Sequence, residues 1–91
     1  MRRERDARIA EILDRIRDIP PGHVQTYGDI DPDAPRLVGR VLATTHESDL
    51  PWFRVVRADG SVTQGEQQLE LLRQDGVPLL GNRVDLARAR A

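Results

Sequence analysis

Arginine is the residue type through which this chain could act on a charged partner. All 14 of its basic residues are arginine, set against 15 Asp and Glu, for a net charge of −1. A guanidinium is a planar fork that grips phosphate through two bonds and stacks on bases. The overall balance nevertheless lacks the basic excess usual in nucleic-acid binders. His23 and His46 fall in separate loop regions with no ligand cluster around them, so no metal site is expected. Ser48 and Ser61 have no histidine and carboxylate placed to activate them, and no glycine-rich phosphate-binding run occurs. Cysteine is absent, which removes disulfides, thiolate metal ligands and any thiol nucleophile. No catalytic residue and no cofactor are expected.

The aromatic residues are one Trp, one Tyr and one Phe. Trp52 and Phe53 are adjacent; in an extended segment they would point to opposite sides, one into the core and one onto a surface or pocket. A second constellation lies between Ala34 and Thr44, where helical spacing buries Leu37, Val38, Val41 and Leu42. The other face carries Arg36, Gly39, Arg40 and Ala43. Glycine inside a helix costs about 1 kcal/mol relative to alanine. Gly39 therefore has a reason to be there: close packing on a neighbouring helix, or a smooth face pressed to a DNA groove with Arg36 and Arg40 beside it. Spacing alone leaves both open.

Several elements must position these residues. Ile9, Ile12, Leu13 and Ile16 predict a first helix over Glu4–Ile19, ended by Ile19-Pro20-Pro21-Gly22. Thr26-Tyr27-Gly28-Asp29 reads as a capping box opening a short turn. Asp33 is placed to cap the second helix, with proline in its first turn. Asp59-Gly60 between apolar runs predicts a hairpin with arms Val55–Arg57 and Ser61–Thr63. A third helix, Glu66 to about Asp75, buries Leu69, Leu72 and Leu71, with Gly76 as its left-handed cap and Pro78 as its stop. A second hairpin is expected over Leu79–Leu86, and the tail to Ala91 is expected to fray.

Ninety-one residues suffice for one domain, 1–91. The order of elements predicts an α+β, mostly helical fold: a winged-helix-like helix-turn-helix with a small β-hairpin. No run approaches the roughly 20 apolar residues of a membrane span, so no membrane partner is expected. The charged start, Met1-Arg2-Arg3-Glu4-Arg5, is unlike a secretory signal. The expected location is cytoplasmic.

Four runs occur in a telling order: Ile19-Pro20-Pro21-Gly22, Thr26-Tyr27-Gly28-Asp29-Ile30, Pro35-Arg36-Leu37-Val38-Gly39-Arg40 and Pro51-Trp52-Phe53-Arg54-Val55-Val56. From about Ile9 to Val77 the chain resembles the carboxy-terminal DNA-binding domain of the O6-alkylguanine-DNA alkyltransferases. That domain carries its reactive cysteine in a Pro-Cys-His-Arg-Val motif. Trp52 stands in the cysteine's place, as in the alkyltransferase-like proteins, and Phe53 in the histidine's. The resemblance implies minor-groove binding and rotation of the damaged nucleotide into a pocket. It assigns DNA binding to Thr26, Tyr27, Arg36, Gly39 and Arg40. Tyr27 would press on the phosphate of the flipped nucleotide, and Arg36 would fill the vacated stack. The lesion pocket would comprise Tyr27, Trp52 and Val55, with Val55 offering backbone polar groups to the base edge.

The function implied is a non-enzymatic sensor of O6-alkylguanine that marks the lesion for nucleotide excision repair. Its partners would be duplex DNA containing alkylated guanine and nucleotide excision repair proteins. It would act as a monomer, associated with the nucleoid when bound to DNA. Two alternatives share the fold: a protein-interaction or regulatory module without lesion recognition, and a general winged-helix transcription factor.

Overall fold

The computed structural model describes residues 2–91. Helix α1 spans Arg2–Arg17, starting and ending two residues before the range that periodicity gave. Asp18 N–H still bonds Asp14 O, and Ile19 N–H bonds Ile16 O. The last turn thus tightens before Pro20 and Pro21 forbid continuation. Strand β1 (Gln25–Thr26) leads directly into the one-turn helix α2 (Tyr27–Ile30). The capping box forms: Thr26 Oγ1 accepts from Asp29 N at 3.1 Å, and Thr26 N donates to Asp29 Oδ2 at 3.0 Å.

Helix α3 spans Pro35–Thr44 and buries Val38 and Val41, with Leu37 and Leu42 packed part-buried against the same core. Asp33 does not cap it. The residue at the cap is Ala34, with no side-chain bond; proline at the first helical position removes one donor that would need a partner. Asp31 organises this turn instead. Its Oδ1 accepts from Asp33 N, and its carboxylate takes both arms of the Arg8 guanidinium at 2.7 and 2.8 Å. Asp31 is 5% exposed, so the pair ties α1 to the α2–α3 turn from a largely dry position.

The expected first hairpin closes by one rung, Arg57 N–H on Ser61 O, but no ladder extends from it. Val55–Val56 is strand β2, and it pairs in parallel with β1, Gln25 opposite Val55 and Thr26 opposite Val56. A parallel pair needs a long crossover, and α2 and α3 supply it. Asp59-Gly60 still makes a turn, with Gly60 N–H on Arg57 O. Its job is to dock the loop under strand β4 (Arg83–Val84), where Val84 N–H bonds Gly60 O. Gly60 sits at φ +84°, and a Cβ there would lie 2.5 Å from Val84 O; no other residue fits.

Helix α4 spans Gly65–Gln74 and ends in a Schellman cap, with Val77 N–H on Leu72 O and Gly76 N–H on Arg73 O. Strand β3 (Leu79–Leu80) pairs antiparallel with β4, so the second hairpin forms within the expected range. The tail does not fray. Leu86–Ala89 is a short helix, α5, and Ala89 is fully buried.

Two apolar clusters result. One unites Ile12, Ile16 and Ile19 with Ile30, Val38, Val41, Leu50 and Val55. The other joins Val24 and Val56 to Leu72, Val77, Val84 and Ala89. Strand β2 contributes one valine to each, which makes it the seam between them. The whole is α+β and mostly helical, with α2, a tight turn and α3 as the helix-turn-helix. Among the described residues no helix is long and apolar enough to cross a membrane.

Candidate nucleic-acid interface

Helix α3 and the segment that follows it enclose a groove of about 770 Å³. Pro35, Arg36, Gly39, Leu42 and Ala43 line one side; Leu50, Trp52, Val55, Thr63, Gln64 and Gln67 line the other. Tyr27 joins the two. Its ring lies against α3 where a Cβ on Gly39 would be 3.9 Å from Tyr27 Cε1. Its hydroxyl stands 3.4 Å from Thr63 Oγ1 across the groove. Gly39 thus faces the neighbouring helix α2, whose first residue is Tyr27, and also lines the groove. Its neighbour is the half-buried tyrosine, and an alanine would fit there in ordinary contact.

Charge is distributed to leave α3 positive despite the net −1. Most acidic side chains near arginines are engaged away from the groove: Asp31 with Arg8, Asp75 with Arg54, Asp29 with Arg90, Glu66 and Glu70 with Arg73. Glu47 lines the groove but is held by Arg17. Arg36 and Arg40, one turn apart on the exposed face of α3, make no ion pair among the described residues. Arg36 lines the groove rim; Arg40 is exposed just outside it.

Trp52 is not in an extended segment. Residues Trp52–Arg54 form a 3₁₀ turn, so Trp52 and Phe53 do not point to opposite sides. Their rings meet edge to face with centroids 6.0 Å apart, and both are part-buried. Arg54 lies over the Phe53 ring at 5.2 Å and donates twice to Asp75, each bond 2.8 Å, and once to Ile19 O. Asp75 also accepts from Gly22 N. With Arg54 and Asp75 only 13% and 12% exposed, this lock fixes the 3₁₀ turn to the ends of α1 and α4. The Arg54 guanidinium holds the Asp75 carboxyl below the usual carboxylate range.

Two residues assigned by resemblance sit differently from that assignment. Thr26 is 3% exposed, and its hydroxyl and N–H are both used in the capping box. It builds the turn that presents Tyr27 and does not reach the surface. Val55 lines the groove, but its backbone is committed: the N–H donates to Trp52 O, and the carbonyl accepts from Gln68 Nε2 at 3.0 Å. Its N–H is not free for a base edge.

Gln68 is the residue that sequence reasoning missed. It is 1% exposed, and every hydrogen-bonding valence of its amide is filled. Oε1 accepts from Thr63 N and Gln64 N; Nε2 donates to the carbonyls of Phe53 and Val55. One side chain therefore staples the Thr63–Gln64 loop to the Trp52 segment. The signal was present: position 68 shares the apolar stripe of Leu69 and Leu72, where a polar residue needs a buried partner. No three His, Asp or Glu among the described residues come together to hold a metal ion.

Comparison with known proteins agrees with this geometry. The family described as 6-O-methylguanine DNA methyltransferase, DNA binding domain, matches residues 8–77. The DNA base-flipping protein of Escherichia coli is 41% identical over 86 residues, covering 82% of this chain and 67% of that protein. Alkyltransferase-like protein 1 of Schizosaccharomyces pombe is 33% identical over 81 residues, covering 76% and 75%. The crystal structure of S. pombe Atl1 in complex with damaged DNA containing O6-carboxymethylguanine superposes with a TM-score of 0.82 at 25% identity, over 94% of this chain and 95% of that one. The chain belongs to the family of the 6-O-methylguanine DNA methyltransferase DNA-binding domain.

Proposed function

We propose that this protein binds duplex DNA containing O6-alkylguanine, turns the damaged nucleotide into the α3–Trp52 groove and transfers nothing from it. The observation that carries this reading is the groove itself: an indole at one wall, a tyrosine between the walls and, at the rim, an arginine with no ion pair among the described residues. A volume of about 770 Å³ suits a base with its substituent, being within the roughly 300–1,000 Å³ of small-molecule pockets. Extrusion costs a few kcal/mol of unstacking, and least for a damaged base. Arg36 entering the stack and an apolar, aromatic pocket offset that cost.

Alkyl transfer requires a thiolate acceptor, and the chain has no cysteine. The complex is therefore reversible, and it serves as a flag for nucleotide excision repair proteins in the cytoplasm. In this reading the protein acts as a monomer.

The test is a titration against matched duplexes with guanine or O6-methylguanine, followed by mass measurement of the protein. The lesion duplex should bind more tightly, Arg36→Ala and Tyr27→Ala should each remove most of that preference, and no alkyl group should be gained. Equal affinity for both duplexes would leave a DNA-binding protein without lesion recognition. No binding even at low salt, where phosphate contacts are strongest, would favour the interaction module.

A further inference from the structure

The family match ends at residue 77, yet the chain beyond it grips the centre of the DNA-binding motif. Ala89 is fully buried, and its carbonyl accepts from Val24 N at 3.0 Å and from His23 Nδ1 at 3.2 Å. Ala91 N–H returns to Val24 O at 2.9 Å. These bonds lay the 89–91 segment alongside residue 24, immediately before the capping box. Arg90 then reaches the box itself, placing Nε 2.9 Å from Asp29 Oδ2 and its terminal nitrogen 2.5 Å from Asp29 Oδ1. Asp29 Oδ2 is the same oxygen that accepts from Thr26 N.

We propose that Arg90 is a positioning residue for Tyr27, acting through Asp29. Tyr27 is the first residue of a four-residue helix, too short to hold itself. The orientation of its ring depends on the cap at Thr26 and Asp29. A carboxylate side chain free to rotate would cap only part of the time. A bidentate guanidinium fixes both its oxygens and leaves one aimed at Thr26 N. The Asp29 carboxyl is accordingly held below its usual range, by Arg90 first and by the Thr26 bonds as well. Arg90 is exposed, so it contributes little to global stability, and its effect falls on the local geometry of Tyr27 in the groove.

This inference rests on the lesion-binding reading for its affinity test but has a second readout that does not. In the full chain, Arg90→Ala is compared with the parent and with Arg90→Lys on plain and lesion duplexes. Tyr27, the chain's one tyrosine, is labelled as fluorotyrosine for fluorine NMR. Arg90→Ala should weaken lesion binding by about three- to fivefold, leave plain-duplex affinity and the thermal midpoint nearly unchanged, and shift or broaden the fluorine line. Arg90→Lys, which keeps the charge but loses the fork, should fall between. An unchanged fluorine line, or equal losses on both duplexes, would overturn the proposal; the latter would make Arg90 a phosphate contact. A parent without lesion preference would sink the lesion reading alone, with the fluorine line still deciding the role of Arg90.

Discussion

The α3 wall of the groove is one ten-residue helix, whereas the facing wall is assembled from the Leu50–Val55 and Thr63–Gln67 stretches. Helix α3 holds its shape through its own ladder and an apolar stripe docked on α1 and α2. The facing wall has no single ladder: it joins a 3₁₀ turn, the start of β2 and the first turn of α4. Its shape comes from two side chains: Gln68, bonded to four backbone groups, and Arg54, locked to Asp75. The lesson is about vulnerability. Damage to the helical wall should change what the groove touches, and damage to the facing wall should change whether the groove exists.

Gln68→Leu tests this most severely. It keeps the volume but strips partners from the N–H groups of Thr63 and Gln64, which lie in an exposed loop and can turn to water, and from the carbonyls of Phe53 and Val55, where a buried group left unsatisfied costs roughly 1–3 kcal/mol. Partial relaxation should leave a loss of about 3–5 kcal/mol in urea unfolding. Lesion affinity should fall further than stability alone explains. A variant as stable as the parent would show that the facing wall needs no staple.

Breaking the second lock should cost less and should depend on pH. Asp75→Asn leaves Arg54 nearly buried without its charge partner, a loss of about 3 kcal/mol at neutral pH. The Asp75 carboxyl is lowered in the folded protein by Arg54. Its contribution is therefore complete above the unfolded value near 3.9 and disappears as pH falls through the lower folded value. Parent and variant should differ in stability at pH 7 and converge progressively below about pH 4. A constant difference across that range would remove the ion pair from the explanation.

The helical wall should give the smallest and opposite effect. Gly39→Ala places a methyl group in ordinary contact with the Tyr27 ring and removes the helix penalty of glycine. It should leave stability unchanged or raise it by up to about 1 kcal/mol. On the proposed reading, in which this face meets DNA, duplex affinity should nevertheless drop, because the methyl group would narrow the groove. Unchanged affinity would mean that α3 does not approach its partner closely at this point.

Residues Thr26, Asp29, Gly76 and the stripes of α1, α3 and α4 were legible in the amino-acid order, because caps and helical periodicity involve neighbours a few positions apart. The motif residues Tyr27, Arg36 and Trp52, and the lack of any cysteine, were likewise plain before any fold was known. What local pattern could not report were partners far apart in the chain. Val55 had the composition of a hairpin arm, and only its docking against Gln25 made the pair parallel. Gln68 reaches back thirteen residues to Val55, and Arg90 reaches back sixty-one to Asp29. Such pairings repay their loop-closure cost only when the whole core assembles. For that reason the tertiary structure, and not the order of residues, decided the second wall of the groove and the tail that braces its tyrosine.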